Sequence, residues 1–236
     1  MRLQMGEKII GILGGMGPEA TADLYMRIIR ATKVQRDQDH RRVIIDSNAK
    51  IPDRTKAIRG EGPSPLPMLV ETGLNLQRAG ADFIIIPCNT AHYFHADLQK
   101  KLKVPVLHMI RLSATKTKEK HPGINKAGLL ASDGTLMSRL YQDSWGEQGI
   151  EIIEPAIETQ KNVMEAVYKY IKRGDLEPGR KLLYDSSIEL IEAGAEAIIC
   201  GCTEVSIVLH DGDLTVPVLD PMQDLAEEAV RLSTGT

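Results

Sequence analysis

Residues 8–32 read KIIGILGGMGPEATADLYMRIIRAT. A short apolar run, KIIGIL (8–13), ends in a cluster of glycines. Ala, Leu, Met and Ile then recur at helical spacing from Pro18 onward. A strand that passes through a glycine turn directly into a helix is the opening of a strand–helix unit. Pro18 suits the first helical turn, where a missing N–H costs nothing.

Reading onward, RRVIIDS (41–47) is a second short β-branched run, followed by a loop carrying Pro52, Pro63, Pro65 and Pro67. PMLVETGLNLQRAG (67–80) has a helical pattern that stops at Gly80, as helices often do at a residue free to turn left-handed. DFIIIPC (82–88) reads as a buried strand, ADLQKKLK (96–103) as a helix and VPVL (104–107) as another strand. Strands that alternate with helices predict a mostly parallel sheet covered by helices.

The order then restarts. NKAGLLASDGT (125–135) and IEIIEP (150–155) read as strands, NVMEAVYKYIKRG (162–174) and GRKLLYDSSIELIEAG (179–194) as helices, and EAIICGC (196–202) and VPVLD (216–220) as strands. Gly11–Gly17 matches Gly128–Gly134 at an offset of 117, AGAD (79–82) matches AGAE (193–196) at 114, Cys88 matches Cys202 at 114, and VPVL repeats at 112. Four matches in one order, with small drift, indicate an internal duplication. The expected fold is therefore α/β, with two similar lobes related by pseudo-two-fold symmetry, each a mostly parallel sheet flanked by helices. Lobe one is expected to take residues 1–112 plus 216–236, and lobe two residues 113–215. Ligands of such sheets bind beyond the carboxyl ends of the strands. The duplication is thus expected to put one thiol on each wall of a shared cleft.

Composition narrows the function. The 236-residue chain carries 29 Lys and Arg against 32 Asp and Glu, a net charge of −3 with the signs interspersed, which does not suit a nucleic-acid partner. Aromatic residues at 4% leave little for a base-stacking platform. Apolar runs fall short of the ~18 residues of a membrane span, and the N-terminal run flows into the glycine turn as a first strand rather than a signal peptide. Three cysteines, an odd number, suggest reduced thiols in a cytoplasmic setting.

Cys88 (PCNTAH, 87–92) and Cys202 (GCTEV, 201–205) each end an apolar strand and precede Asn89, Thr90 or Thr203, residues that favour helix starts. A thiol beside a helix N-terminus is expected to have its pKa lowered from ~8.5 toward neutrality. Two such groups facing each other suit the inversion of a carbon centre: one base removes the Cα proton and an acid on the opposite face returns one. A packing role is the plain alternative, and it is the expected one for Cys200 inside the run AIIC. Metal ligation by Cys200 and Cys202 with His92 or His95 is the less expected use of these thiols, and Cys88–Cys202 pairing on oxidation would inactivate. Gly15-Met16-Gly17-Pro18-Glu19-Ala20 also satisfies a dinucleotide-binding pattern with Asp46 as its acid, although the acid lies further on than the usual ~20 residues. The other use of this turn is to present backbone N–H groups to a carboxylate, with hydroxyls added by Ser132 and Thr135 in the matching turn.

GILGGMGPEAT (11–21), IPDR (51–54), PCNTAH (87–92), LLASDGT (129–135) and GCTEV (201–205) together resemble the aspartate/glutamate racemase family, in the family's order and across nearly the whole chain. The resemblance implies a cofactor-independent isomerase acting on a small acidic amino acid, aspartate foremost, as a homodimer; the composition and cysteine pattern above add the expectation of a cytoplasmic setting with no metal, nucleic-acid or membrane partner. It assigns Cys88 and Cys202 as the two acid/bases. Asn89, Thr90 and Thr203 would hold the substrate's α-carboxylate and amine, Glu204 would orient or polarise the second site, and Arg54 and Lys172 would read the side-chain carboxylate. Met16 and Asn48 are further lining candidates; Arg54 and Lys172 could instead be solvated surface charges. The chain departs from the family pattern at Arg111, where an acid is common, and at Ser132, where threonine is common. Related activities on the same scaffold include glutamate or broad-specificity racemase, hydantoin racemase, maleate isomerase and malonate decarboxylase. A nonenzymatic binder of acidic ligands is the reading in which both thiols are structural.

Overall fold

The computed structural model describes residues 6–234. They form two compact units: unit 1 holds the residues up to Met109 and those from Met222 onward, and unit 2 spans Ile110–Pro221. In unit 1, strand β1 (Ile10–Gly14) lies between β2 (Val43–Ser47) and β3 (Phe83–Ile85), all parallel. The VPVL segment continues the order beyond β3. The Ile84 N–H donates to the Pro105 carbonyl at 2.8 Å, and the Leu107 N–H donates to the Ile84 carbonyl at 2.9 Å.

Unit 2 repeats this order. Strand β4 (Lys126–Leu130) lies between β5 (Glu151–Ile153) and β6 (Ile198–Cys200), and β7 (Val218–Leu219) follows β6, again all parallel. The two parallel sheets with flanking helices are the architecture the sequence predicts.

The repeated motifs perform the same physical task twice. Gly80 and Gly194 both adopt left-handed φ, 99° and 98°, just past a helix. The next residues, Ala81 and Ala195, donate their N–H groups back to Leu76 and Leu190 carbonyls at 3.0 Å. That closure satisfies carbonyls which a helix end otherwise leaves open. The acid of AGAD or AGAE then clamps the start of the central strand. Asp82 Oδ2 accepts the Ile9 N–H at 2.7 Å, and Glu196 Oε2 accepts the Asn125 N–H at 2.6 Å. The acid in this motif is therefore a strand-start fastener in both units.

Burial on both faces explains why the strands read as continuous apolar runs. In unit 2, Ile198, Cys200 and Val218 pack in one buried cluster with Val163, Leu183 and Leu190. Their chain neighbours Ala197, Ile199 and Leu219 pack in another with Tyr141 and Trp145. The period of two in side-chain direction makes this division. In unit 1, Ile84 and Ile86 join Leu69, Leu76 and Leu98. Each fully buried Ile or Leu contributes ~1.5–3 kcal/mol relative to exposure.

Three expectations need correction. Residues 216–221 belong to unit 2, not to the first lobe, because Val218 and Leu219 pair with Ile198 and Ile199 of β6. The helix expected over 96–103 is shorter, Thr90–Phe94 in 3-10 form and then His95–Gln99. The Gln99 side chain ends it by donating to the Val104 carbonyl at 3.1 Å and accepting the Val106 N–H at 2.7 Å. The single helix expected over 162–174 changes winding twice: α-helix over Ile157–Glu165, a wider π turn over Ala166–Tyr170 and a 3-10 turn over Ile171–Arg173.

The glycine turn is fixed by close approach. Gly15 has φ 92°, and a Cβ there would lie 2.3–2.5 Å from the backbone of Asn48. Its N–H donates to Thr21 Oγ1 at 2.8 Å, and that hydroxyl donates to the Gly17 carbonyl at 2.9 Å. Gly15→Ala is expected to lower stability by at least about 2 kcal/mol, from strained φ and overpacking together. The check is a lower urea midpoint at unchanged m; an unchanged midpoint would contradict the close approach.

Candidate functional site

In each unit most of the polar residues singled out above follow the carboxyl ends of the strands; Lys172 instead lies in a helical segment. In unit 1, Cys88 lies three residues beyond β3, where its N–H turns back to donate to the Ile86 carbonyl at 2.9 Å. It is buried and belongs to the same apolar cluster as Met16 and Ile51. Asn89 and Thr90 follow it, both buried, at the start of the 3-10 segment. Arg54 is half-buried and not a solvated surface charge. Its guanidinium donates to the Pro52 carbonyl at 3.0 Å, the Ile51 carbonyl at 3.3 Å and the Met16 carbonyl at 3.5 Å, which stitches the IPDR loop to the glycine turn. The Asn48 side chain has structural partners already: it donates to Thr72 Oγ1 at 3.0 Å and accepts the Lys50 N–H at 3.1 Å.

The dinucleotide reading finds no support in the same turn. The Gly15 N–H is spent on Thr21, and the Asp46 carboxylate accepts a hydrogen bond from Asn75 at 3.1 Å.

In unit 2, Ser132 Oγ lies 3.2 Å from Thr135 Oγ1, and both side chains are buried. Gln160 holds this turn from the neighbouring helix by donating to Asp133 Oδ1 at 2.8 Å and to the Ala131 carbonyl at 3.0 Å. Cys202, Thr203, Glu204 and Lys172 form one network. The Cys202 thiol donates to Glu204 Oε2 at 2.9 Å, the Thr203 hydroxyl donates to the same oxygen at 3.3 Å, and Lys172 Nζ pairs with Glu204 Oε1. The Lys172 ammonium also lies 5.4 Å from the centre of the Tyr168 ring, within cation–π range. Lys172 is in the 3-10 turn that follows the π turn, so the change of winding decides which way it projects.

This network sets the charges. Burial pushes the Cys202 thiol well above its ordinary pKa, and the adjacent Glu204 carboxylate pushes it further; Lys172 opposes both. The lowered pKa expected beside a helix start is therefore corrected at Cys202. The helix that follows, Val205–Val208, is a single short turn, and the nearest full charge is negative. Burial disfavours ionised Glu204, but the Lys172 ammonium and the hydrogen bonds from Cys202 and Lys172 hold its carboxyl below the usual range. Burial likewise disfavours charged Lys172, yet Glu204 holds its pKa above the usual lysine value. Cys202 thus rests as a thiol beside an ion pair.

The third cysteine is different. Cys200 is buried in the unit 2 core, with its sulfur 3.9 Å from the Leu209 carbonyl. Among the described residues, no three His, Cys, Asp or Glu side chains form a cluster suited to a metal ion, and no helix is long and apolar enough to cross a membrane.

The sequence pattern passes over Tyr168 and Gln160. Tyr168 stands four residues before Lys172, the spacing of helical neighbours, which is the one local sign of their contact.

Opposite shifts follow from the two charges next to Cys202. Glu204→Gln is expected to speed alkylation of Cys202 at mildly alkaline pH, and Lys172→Met to slow it, as read by mass spectrometry of the Cys202 peptide. The same direction for both would contradict the network. The stabilisation from ionised Glu204 is complete above its ordinary pKa of 4.5 and is lost as pH falls through the lowered value. Lys172→Met is expected to cost about 2 kcal/mol near neutral pH, less than for a fully buried pair because the lysine is partly solvated, and to flatten that acid limb in urea titrations.

The sequence profile of the Asp/Glu/Hydantoin racemase family matches residues 13–229. The broad specificity amino-acid racemase RacX of Bacillus subtilis is 28% identical over 227 residues, covering 94% of this chain and 96% of its own. The aspartate racemase of Picrophilus torridus superposes with a TM-score of 0.85 at 29% identity, covering 96% of this chain and 94% of that one. The glutamate racemase of Francisella tularensis, solved in complex with D-glutamate, shares the fold at a TM-score of 0.66 and 18% identity, over 94% of this chain and 79% of that one. With the profile spanning both units and both cysteine turns, the chain belongs to the Asp/Glu/Hydantoin racemase family.

Proposed function

We propose that this protein interconverts the enantiomers of an acidic amino acid, aspartate foremost, without pyridoxal phosphate, by moving the Cα proton between Cys88 and Cys202. The observation that carries this reading is the repeated topology: each unit sets a cysteine just beyond the carboxyl end of the strand next to its central one. In one direction, the Cα–H bond breaks as the Cys88 thiolate takes the proton. The resting thiol of Cys202 delivers its own proton to the opposite face of the same carbon. The reaction leaves Cys88 as thiol and Cys202 as thiolate, the form that runs the reverse direction.

Asn89, Thr90 and Thr203 bind the α-carboxylate and amine in this reading. Met16, Ser132 and Thr135 line the site, and Asn48 supports its turn. Arg54 and Lys172 meet the second carboxylate of the substrate; two cations suit a dianion. Lys172 then shares its charge between Glu204 and the ligand. Glu204 receives the Cys202 proton's hydrogen bond and keeps the thiol oriented. A homodimer and a cytoplasmic setting belong to the same reading, supported by the family resemblance and by the odd number of free cysteines.

The similarity to a broad specificity racemase along nearly the whole of both chains favours a second reading, in which the same two thiols accept several amino acids. A panel of single enantiomers separates the two.

Incubation of L- or D-aspartate with the protein in deuterium oxide, with no added cofactor, is expected to yield the opposite enantiomer carrying deuterium at Cα, as read by chiral chromatography and mass spectrometry. Cys88→Ala and Cys202→Ala are each expected to cut the rate by at least about a hundredfold, the scale of one general acid or base. Full racemisation in both single variants would refute the two-thiol mechanism.

A further inference from the structure

We infer that His92 is a positioning residue that fixes the Cys88 turn through one neutral imidazole of defined tautomer. The inference rests on the reading of Cys88 as an acid/base. Its test follows the reactivity of the sulfur itself, so it can fail or succeed whatever the substrate proves to be.

His92 stands four residues after Cys88 and is fully enclosed, at 1% exposure. Its Nδ1 lies 2.9 Å from the Cys88 carbonyl oxygen, and the Met109 N–H points at its Nε2 across 3.2 Å. A backbone N–H can only donate and a carbonyl can only accept. Both contacts are satisfied together when the ring carries its proton on Nδ1 and keeps a lone pair on Nε2. The other tautomer would set two donors against each other and leave the Cys88 carbonyl facing a lone pair.

The ring meets both partners at places where regular structure gives way. Cys88 lies beyond the β3 ladder, so the sheet no longer fixes its carbonyl. Met109 begins the helix Met109–Lys120, where the first N–H groups have no partner within the helix. One side chain thus ties the cysteine turn to the last residue of unit 1 before the chain enters unit 2.

The surroundings keep the ring neutral. His95 stacks over it with centroids 6.2 Å apart, and His108 tilts against it at 5.0 Å. His95 is itself fixed by a hydrogen bond from Nε2 to the Val106 carbonyl at 2.7 Å. Burial, with a smaller repulsion from His95, outweighs the opposing backbone contacts of Cys88, Leu107 and Asn89 and lowers the His92 pKa to about 4. A second proton, on Nε2, would oppose the Met109 N–H directly.

The test compares His92→Leu with His92→Asn, whose side-chain amide keeps a donor near the Nδ1 position. Iodoacetamide labelling, resolved by mass spectrometry into the Cys88 and Cys202 peptides, is expected to show the Cys88 rate changed about fivefold or more in His92→Leu, the factor one hydrogen bond is worth. His92→Asn is expected to reduce that change, and the Cys202 rate is expected to stay within about twofold. An unchanged Cys88 rate in folded His92→Leu, or equal changes at both thiols, would overturn the inference. The unmodified protein gives a second test that needs no variant. Nitrogen NMR of the imidazoles is expected to show His92 as the Nδ1–H tautomer without titration between about pH 5 and 9; an Nε2–H tautomer or a titration in that window would overturn it.

Discussion

Parallel pairing is the constraint from which the rest of this structure follows. A parallel pair cannot be closed by a tight turn, so each strand must be followed by a crossover that returns the chain to the same end of the sheet. The crossovers supply the helices that cover both faces. They also bring every strand's carboxyl end to one edge. Gly14, Ser47 and Ile85 all end there in unit 1, and Leu130 and Cys200 do so in unit 2. The loops that leave this edge carry Cys88, Asn89, Thr90 and Arg54 in one unit and Ser132, Cys202, Thr203 and Glu204 in the other. The chemistry is collected by topology before any side chain interacts.

Duplication makes the two thiols equivalent in position, but their electrostatic settings differ. Cys88 is followed by a buried neutral imidazole that holds its backbone. Cys202 is followed by a carboxylate that accepts its proton's hydrogen bond, and a lysine from a distant helix neutralises that carboxylate. Burial and Glu204 both favour the protonated sulfur at Cys202.

Much of this fold was legible because its devices are local. Gly80 and Gly194 close helices within a few residues, and the repeated acid of AGAD and AGAE fastens the next strand start. The offset of VPVL, read consistently, also puts 216–219 in unit 2, since the first copy lies beside β3 and the second beside β6. The change of winding at Ala166–Tyr170 left no mark, because apolar residues there still recur at helical spacing. The direction of the Cys202 shift was equally hidden: it depends on Glu204, whose ionisation depends on Lys172, 32 residues away in sequence. A local pattern can mark a cysteine beside a turn. It does not register the charge that tertiary structure brings to it.

The proposed mechanism requires both sulfurs to meet a single carbon. A crystal structure with aspartate bound measures this directly. The expected result has Cys88 Sγ and Cys202 Sγ on opposite sides of the ligand's Cα, each within about 3.5 Å of it. A ligand approached by one sulfur only, or seated away from both, would contradict it.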